Sequence, residues 1–399
     1  MPTQRRITSA VFVFTLALVA GVGGCSEPAA PVAAQEEGVA LTPEQAFAAN
    51  LKKAEARDAE AQQLTGFSYL YGIAVAKDVA KATGWLRKSA AQGNAEAQFI
   101  LGWMYDEAVG VPQDAAKAAQ WYEKAAAQGH AKAQFNLGSS YLNGDGVPKD
   151  AAKAVQWYEQ AAAQGHVTAQ FNLGWAYLNG TGVPKDTAKS VDWYEKAAAQ
   201  GNAKAQFNVG WAYFNGEGVT RDPSNAAQWY EKAAAQGHAH AQFNLGWSYF
   251  NGDGVPKDAA KAAQWYEKAA AQGHAHAQFN LGWAYFTGDG VPQDAVKSAE
   301  WYEKAAAQGN AHAQTNLGWS YFHGDGVTTD AVLAHAWFTL AGDLERAVKA
   351  RASAASQLSQ AELAEAQRIS LGWKRGQSLV REAKQGAANA SSASGNTKF

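Results

Sequence analysis

Apolar and polar positions recur along this chain with one fixed period. "FNLGWAYLNGTGVPKD" at 171–186 returns as "FNLGWSYFNGDGVPKD" from Phe243 and "FNLGWAYFTGDGVPQD" from Phe279. Tryptophan sets the period: Trp85, Trp121, Trp157, Trp193, Trp229, Trp265, Trp301 and Trp337 stand 36 residues apart. A second ladder, Trp103, Trp175, Trp211, Trp247, Trp283 and Trp319, keeps the same register, and Ser139 fills its one gap. Eight units of 36 therefore tile 58–345 without an insertion. Self-similarity at this period signals an array of small supersecondary units.

Slots are numbered 1–36 within each unit, slot 1 falling at Asp58, Asn94, His130 and every thirty-sixth residue after. Slots 2–14, "AKAQFNLGSSYLN" in the third unit, predict one helix (A). Glycines at slots 15 and 17 and a proline at slot 19 punctuate the loop. Aspartate at slot 21, as in Asp150 and Asp258, is placed to N-cap a second helix (B) over slots 22–35. Glycine at slot 36 suits a left-handed C-terminal cap. Slot 1 is His or Asn in every unit after the first, which marks a polar helix start. Neither helix can bury its apolar face alone, so neighbouring pairs must stack.

At 100° per residue, slots 4, 8, 11 and 12 of helix A form the core stripe, with the slot-9 glycine bordering it. Slot 3 reads Glu60, Glu96, Lys132, Thr168, Lys204, His240, His276, His312, and no packed interior takes such residues interchangeably. Slot 3 is therefore expected in water. Slots 7, 10 and 14 lie within about 40° of it. The asparagine ladder, Asn136, Asn172, Asn208, Asn244, Asn280 and Asn316, and the second tryptophan ladder then flank an exposed strip. Amides donate to and accept from a peptide backbone, and indoles give rigid contact area. These twelve residues are the candidate partner-binding groove; the competing expectation is that each indole only completes packing between A helices. The tryptophans at slot 28 share a face of helix B with alanines at slots 25 and 32 and are expected in the core.

The pattern A-x-A-Q-x-x-L-G-x-x-Y-x-x-G-x-G-V-P-x-D, then A-x-x-W-Y-x-x-A-A-x-x-G, resembles the Sel-one-like repeat, a longer relative of the tetratricopeptide repeat. The resemblance implies an all-α, right-handed α-solenoid of eight helix-turn-helix repeats whose A helices line a concave surface. It implies a protein-binding scaffold with no catalytic residue, cofactor or metal. Worn copies at the ends, such as Leu86 and Phe338 at the helix-B tyrosine slot, suit capping units. Residues 346–385 are expected to form a helical cap, with Ser359 and Glu362 spaced as a capping box.

The first 25 residues stand apart. Arg5 and Arg6, the apolar run "AVFVFTLALVAGV" and "VGGC" read as a secretory signal. Its ending resembles a bacterial lipoprotein signal, which implies lipidation of Cys25; an ordinary signal peptide or an anchor helix is the alternative. Ser26 then implies an outer-membrane destination facing the periplasm. Residues 26–57 read as a tether and helical lead-in, and 386–399 as a disordered tail. Cys25 is the one cysteine, so no intramolecular disulfide forms. The net charge is −2 with no basic half, which argues against nucleic acid.

"NGDGVPKD" has the look of a calcium loop, but slot 16 becomes Thr181 in one unit and no glutamate closes it. His238, His240, His274, His276 and His312 cluster late in the chain. Histidines two apart point in different directions on a helix, so they suggest a pH-sensitive patch over a metal site. No nucleophile, phosphate-loop or dinucleotide motif is present. The expected partner is an unidentified protein or extended peptide segment. A polysaccharide is the alternative, since indoles also stack on sugars, and a structural spacer needs no groove at all.

Overall fold

A computed structural model describes residues 41–381. The proposed signal ending at Cys25, most of the tether and the proposed C-terminal tail lie outside the described residues. The described residues hold nineteen α-helices and no strand. A lead-in helix (Pro43–Glu55) precedes eight A/B pairs, and two cap helices (Glu345–Ala355 and Gln360–Gly372) follow. No helix among the described residues is long and apolar enough to cross a membrane.

Each repeat is bounded by its own side chains. In the sixth, helix A runs Ala239–Asn251 and helix B Ala259–Ala271. His238 Nδ1 accepts the Ala241 N–H at 3.3 Å, and Asp258 Oδ1 accepts the Lys261 N–H at 2.9 Å. Helix A stops at Gly252 in the left-handed region (φ 84°). The next glycine of the loop, Gly254 (φ 75°), lies directly on the backbone carbonyl of Pro223, where helix B of the preceding repeat begins. The loop thus stacks one repeat on the last with no room for a side chain.

The helices pack in chain order, A on its own B and B on the next A, and strong contacts skip a helix only at the C-terminal cap. Slots 4, 8 and 11 of helix A are buried, as Ala241, Leu245 and Ser248 show, while the slot-12 tyrosines are half-buried. On helix B the structure corrects the expected core. The slot-28 tryptophans are half-buried, each packed against a core cluster yet partly open to solvent, as Trp265 and Trp301 are, and only Trp337 is buried. The Lys268 ammonium caps Trp265 at 3.7 Å, and Lys304 caps Trp301 at 3.9 Å. The slot-29 tyrosine is the buried ring, and it seats on the slot-9 glycine: a Cβ on Gly246 would meet Tyr266 Cδ1 at 2.8 Å. One residue of rotation, 100° on a helix, separates the two roles.

A buried amide chain, not foreseen from the sequence, ties repeats together. Gln272 Nε2 donates to Gln242 Oε1 at 2.8 Å, and Gln242 Nε2 donates to the Ala234 carbonyl of the preceding repeat at 3.1 Å. The glutamine at slot 5 is buried in every repeat. Gln242→Leu removes both bonds, while the Ala234 carbonyl keeps the Gly237 N–H and the exposed Gln272 turns to water, so it is expected to cost about 1 kcal/mol in thermal or urea unfolding.

The C-terminal cap closes the array. Ser359 and Glu362 form the capping box of the second cap helix. Arg381 reaches Asp330 at 3.2 Å and Glu365 at 3.0 Å, tying the segment after the second cap helix to the last repeat.

Candidate functional site

The strip between slots 3 and 14 is built by consecutive A helices that do not pack tightly on one another. Slot 3 is exposed in seven of the repeats, and Lys132 is half-buried. Of the second tryptophan ladder, Trp175, Trp211 and Trp247 are 44%, 46% and 42% exposed, too open for indoles that serve packing alone. Trp103, Trp283 and Trp319 are half-buried. Trp319 leans edge-on against Phe338 at 5.3 Å, under the cap.

The gaps between A helices are apolar clefts. One of about 240 Å³ lies between repeats 6 and 7 (helix A of repeat 7 is Ala275–Thr287). Its walls are Trp247 and Phe250 on one side and Phe279 and Trp283 on the other, with Ala262, Ala263 and Tyr266 of helix B as its floor. A second, of about 320 Å³, lies between repeats 3 and 4, lined by Leu142, Val155, Tyr158, Phe171 and Trp175. The two are three repeats apart and use the same slots. The cleft is thus a property of the repeat.

The asparagine ladder lies at the cleft floor. All six asparagines are half-buried. Each faces the slot-29 tyrosine hydroxyl of the preceding repeat, as Asn208 does Tyr194 and Asn280 does Tyr266. The Tyr194 hydroxyl is pushed up to about 12 by burial, against the opposing pull of the Asn208 and Ser190 side chains. The pairs stop short of full hydrogen bonds: the hydroxyls of Tyr194, Tyr230, Tyr266 and Tyr302 are buried without a partner among the described residues. Tyr158 differs, because Ser139 at the gap in the tryptophan ladder meets its hydroxyl at 3.1 Å. Sequence reasoning placed the asparagines beside the open strip and missed the tyrosines below them. The 36-residue recurrence of "WY" was the available signal.

At the rim, the slot-6 phenylalanine stacks on the slot-1 histidine wherever the next repeat has one. His274 stacks on Phe243 at 4.7 Å, and Phe207 carries His238 at 4.9 Å. His274 Nδ1 accepts the Ala277 N–H at 3.2 Å, so its Nε2 carries the proton and donates to His240 Nδ1 at 3.0 Å. No cluster of three or more metal-ligating side chains occurs among the described residues. Burial first, then the neighbouring His240 and His276, push the His274 ring down to about 4. The unfolded ring titrates near 6.5, so the unfolded state binds more protons between those values. The stability His274 contributes is complete above pH 6.5 and is lost as pH falls toward 4. His274→Asn, the residue that Asn202 and Asn310 place at this slot, keeps a cap. It is expected to flatten the decline of the urea midpoint over that range.

Comparison with known proteins follows this geometry. The family model described as "Sel1 repeat" matches residues 59–94, 95–130, 131–166, 167–202, 203–238, 239–274, 275–310 and 311–345. The chain belongs to the Sel1 repeat family. Among solved structures, this Sel1 repeat chain is similar to c5321, described as a protective antigen present in uropathogenic Escherichia coli strains displaying an SLR fold. Identity is 30%, the match covers 85% of this chain and 99% of that one, and the TM-score is 0.53. It is also similar to a Sel1 repeat protein from Oxalobacter formigenes at 39% identity, covering 61% of this chain and 96% of that one, with TM-score 0.51. No curated protein matches the chain. Sel1 repeat proteins generally act by binding other proteins, and as scaffolds they are generally non-enzymatic.

Proposed function

We propose that this chain is a non-enzymatic scaffold of the bacterial cell envelope that holds an extended segment of a partner protein along its helix-A groove. The observation that carries the reading is the run of exposed indoles set over recurring apolar clefts. Several modest sites on one array add their contributions along a continuous ligand. The cleft floor favours a peptide over a glycan: it offers one amide and one phenol, whereas a sugar buried there would bring several hydroxyls that each need a partner. A spacer without a ligand leaves the exposed indoles without a purpose.

The reading includes export and lipidation at Cys25, with the solenoid held at the outer membrane and facing the periplasm. Cys25→Ser is expected to move the protein from the membrane pellet to the soluble envelope fraction. Retention in the pellet would set lipidation aside. The groove reading is tested by pull-down from cells: Trp211→Ala with Trp247→Ala should cut partner recovery, and loss of binding to oligosaccharide in place of protein would favour the glycan.

A further inference from the structure

The cleft between repeats 6 and 7 differs in chemistry from the one between repeats 3 and 4. Between repeats 6 and 7, five aromatic rings surround the space: Trp247, Phe250, Tyr266, Phe279 and Trp283. Asp289 stands at its mouth and makes no ion pair among the described residues. Tyr266 is 2% exposed: its ring lines this cleft, and its hydroxyl is sealed below the surface without a hydrogen-bond partner among the described residues. The cleft between repeats 3 and 4 has Leu142 in place of Phe250 and Thr181 in place of Asp289, and its tyrosine hydroxyl is already engaged by Ser139.

We propose that the cleft between repeats 6 and 7 is an aromatic cage for a basic side chain, arginine foremost, so that the partner segment is basic where it crosses these two repeats. The proposal rests on the groove reading above and adds the partner's chemistry to it. Ring faces carry negative potential and attract a guanidinium or ammonium stripped of water. The aliphatic stem of arginine suits apolar walls, and its several N–H groups suit acceptors. The Asp289 carboxylate supplies a charged acceptor, and the Asn280 side chain also lines the cleft. The indoles of this fold already hold cations, since Lys268 caps Trp265 at 3.7 Å.

The repeat itself keeps the mouth acidic. At slot 20, repeats 3, 4 and 6 carry Lys149, Lys185 and Lys257, but repeat 7 has Gln293, whose amide is tied to the Phe286 carbonyl at 2.8 Å. No lysine of that loop competes for Asp289; the nearest cation on the cage rings is Lys257 of the preceding loop, 5.7 Å from the centre of the Phe250 ring. Slot 16 is acidic in the other later repeats too, at Glu217, Asp253 and Asp325, but repeats 5 and 6 set Arg221 and Lys257 at slot 20 and repeat 8 has Thr315 at slot 6, so the full set of features belongs to the cleft between repeats 6 and 7.

The test uses the folded protein with 15N-labelled tryptophan and two probes: an acetylated, amidated pentapeptide with a central arginine among alanines, and its citrulline counterpart. Citrulline keeps the shape and removes the charge. The arginine peptide should move the Trp247 and Trp283 indole resonances saturably while leaving Trp175 in place. The citrulline peptide should bind about tenfold more weakly, the scale of a desolvated cation–π contact. Asp289→Asn should weaken the arginine peptide about threefold and reduce its salt dependence, the scale of a partly exposed charge pair. Equal shifts with citrulline would overturn the cage while leaving a peptide groove standing. Equal shifts at Trp175, or none at Trp247 and Trp283, would also overturn it. Failure of the groove reading itself shows separately, as partner recovery indifferent to Trp211 and Trp247.

Discussion

Gly182→Ala is expected to destabilise the protein by about 3 kcal/mol, combining left-handed strain with a forced overlap. Gly182 has φ 76°, and a Cβ there would fall on the Ala151 backbone carbonyl of the preceding repeat. Backbone cannot step aside as a side chain can. Repeats couple only to their neighbours, so the damage is local to the third and fourth, and the melt should broaden or split. Gly165→Ala supplies the control. It has a similar φ of 84°, but nothing lies within 4 Å of its Cβ. It should cost only the strain, about 1 kcal/mol. Calorimetry of the two variants checks both the size and the splitting. Equal losses would mean that loop stacking does not couple the repeats.

Trp211→Ala with Trp247→Ala is the second large effect, this time on binding. Both indoles are more than two-fifths exposed, so their loss should leave the fold intact. As rigid aromatic anchors they should carry a disproportionate share of affinity, and the pair is expected to lower partner recovery at least about tenfold. Trp229→Ala with Trp265→Ala should do the opposite. Those indoles are half-buried on helix B under Lys232 and Lys268, so stability should fall while recovery holds. Quantitative pull-down beside thermal unfolding separates the two outcomes.

These contrasts also mark what the sequence made legible. The period, the helix bounds and the caps were readable because each is a local rule: Asp258 before an alanine-rich run, Gly252 after an apolar one. Slot 3 was readable as exposed because its residues vary in kind within one chain. On helix B the alanines, such as Ala262 and Ala269, are buried as expected, but Tyr266 and not Trp265 is the fully buried ring; the two are adjacent, and the face that burial selects depends on the neighbouring helix. The burial of Gln242 was not legible, since nothing local reveals that the Ala234 carbonyl and the Gln272 amide converge on it. The clefts were invisible for the same reason. They exist because Tyr266 seats on Gly246 and draws helix B against its own helix A, leaving a gap before the next A helix. That is a consequence of packing three helices, and no single segment encodes it.

The central claim is that partners are bound on the helix-A face. A photo-crosslinking phenylalanine at position 247 places the reactive group in the groove, and one at 265 places it on helix B of the same repeat. After irradiation of intact cells, a discrete crosslinked protein should appear from position 247 and be absent from position 265. A crosslink from 265 with none from 247 would contradict the account.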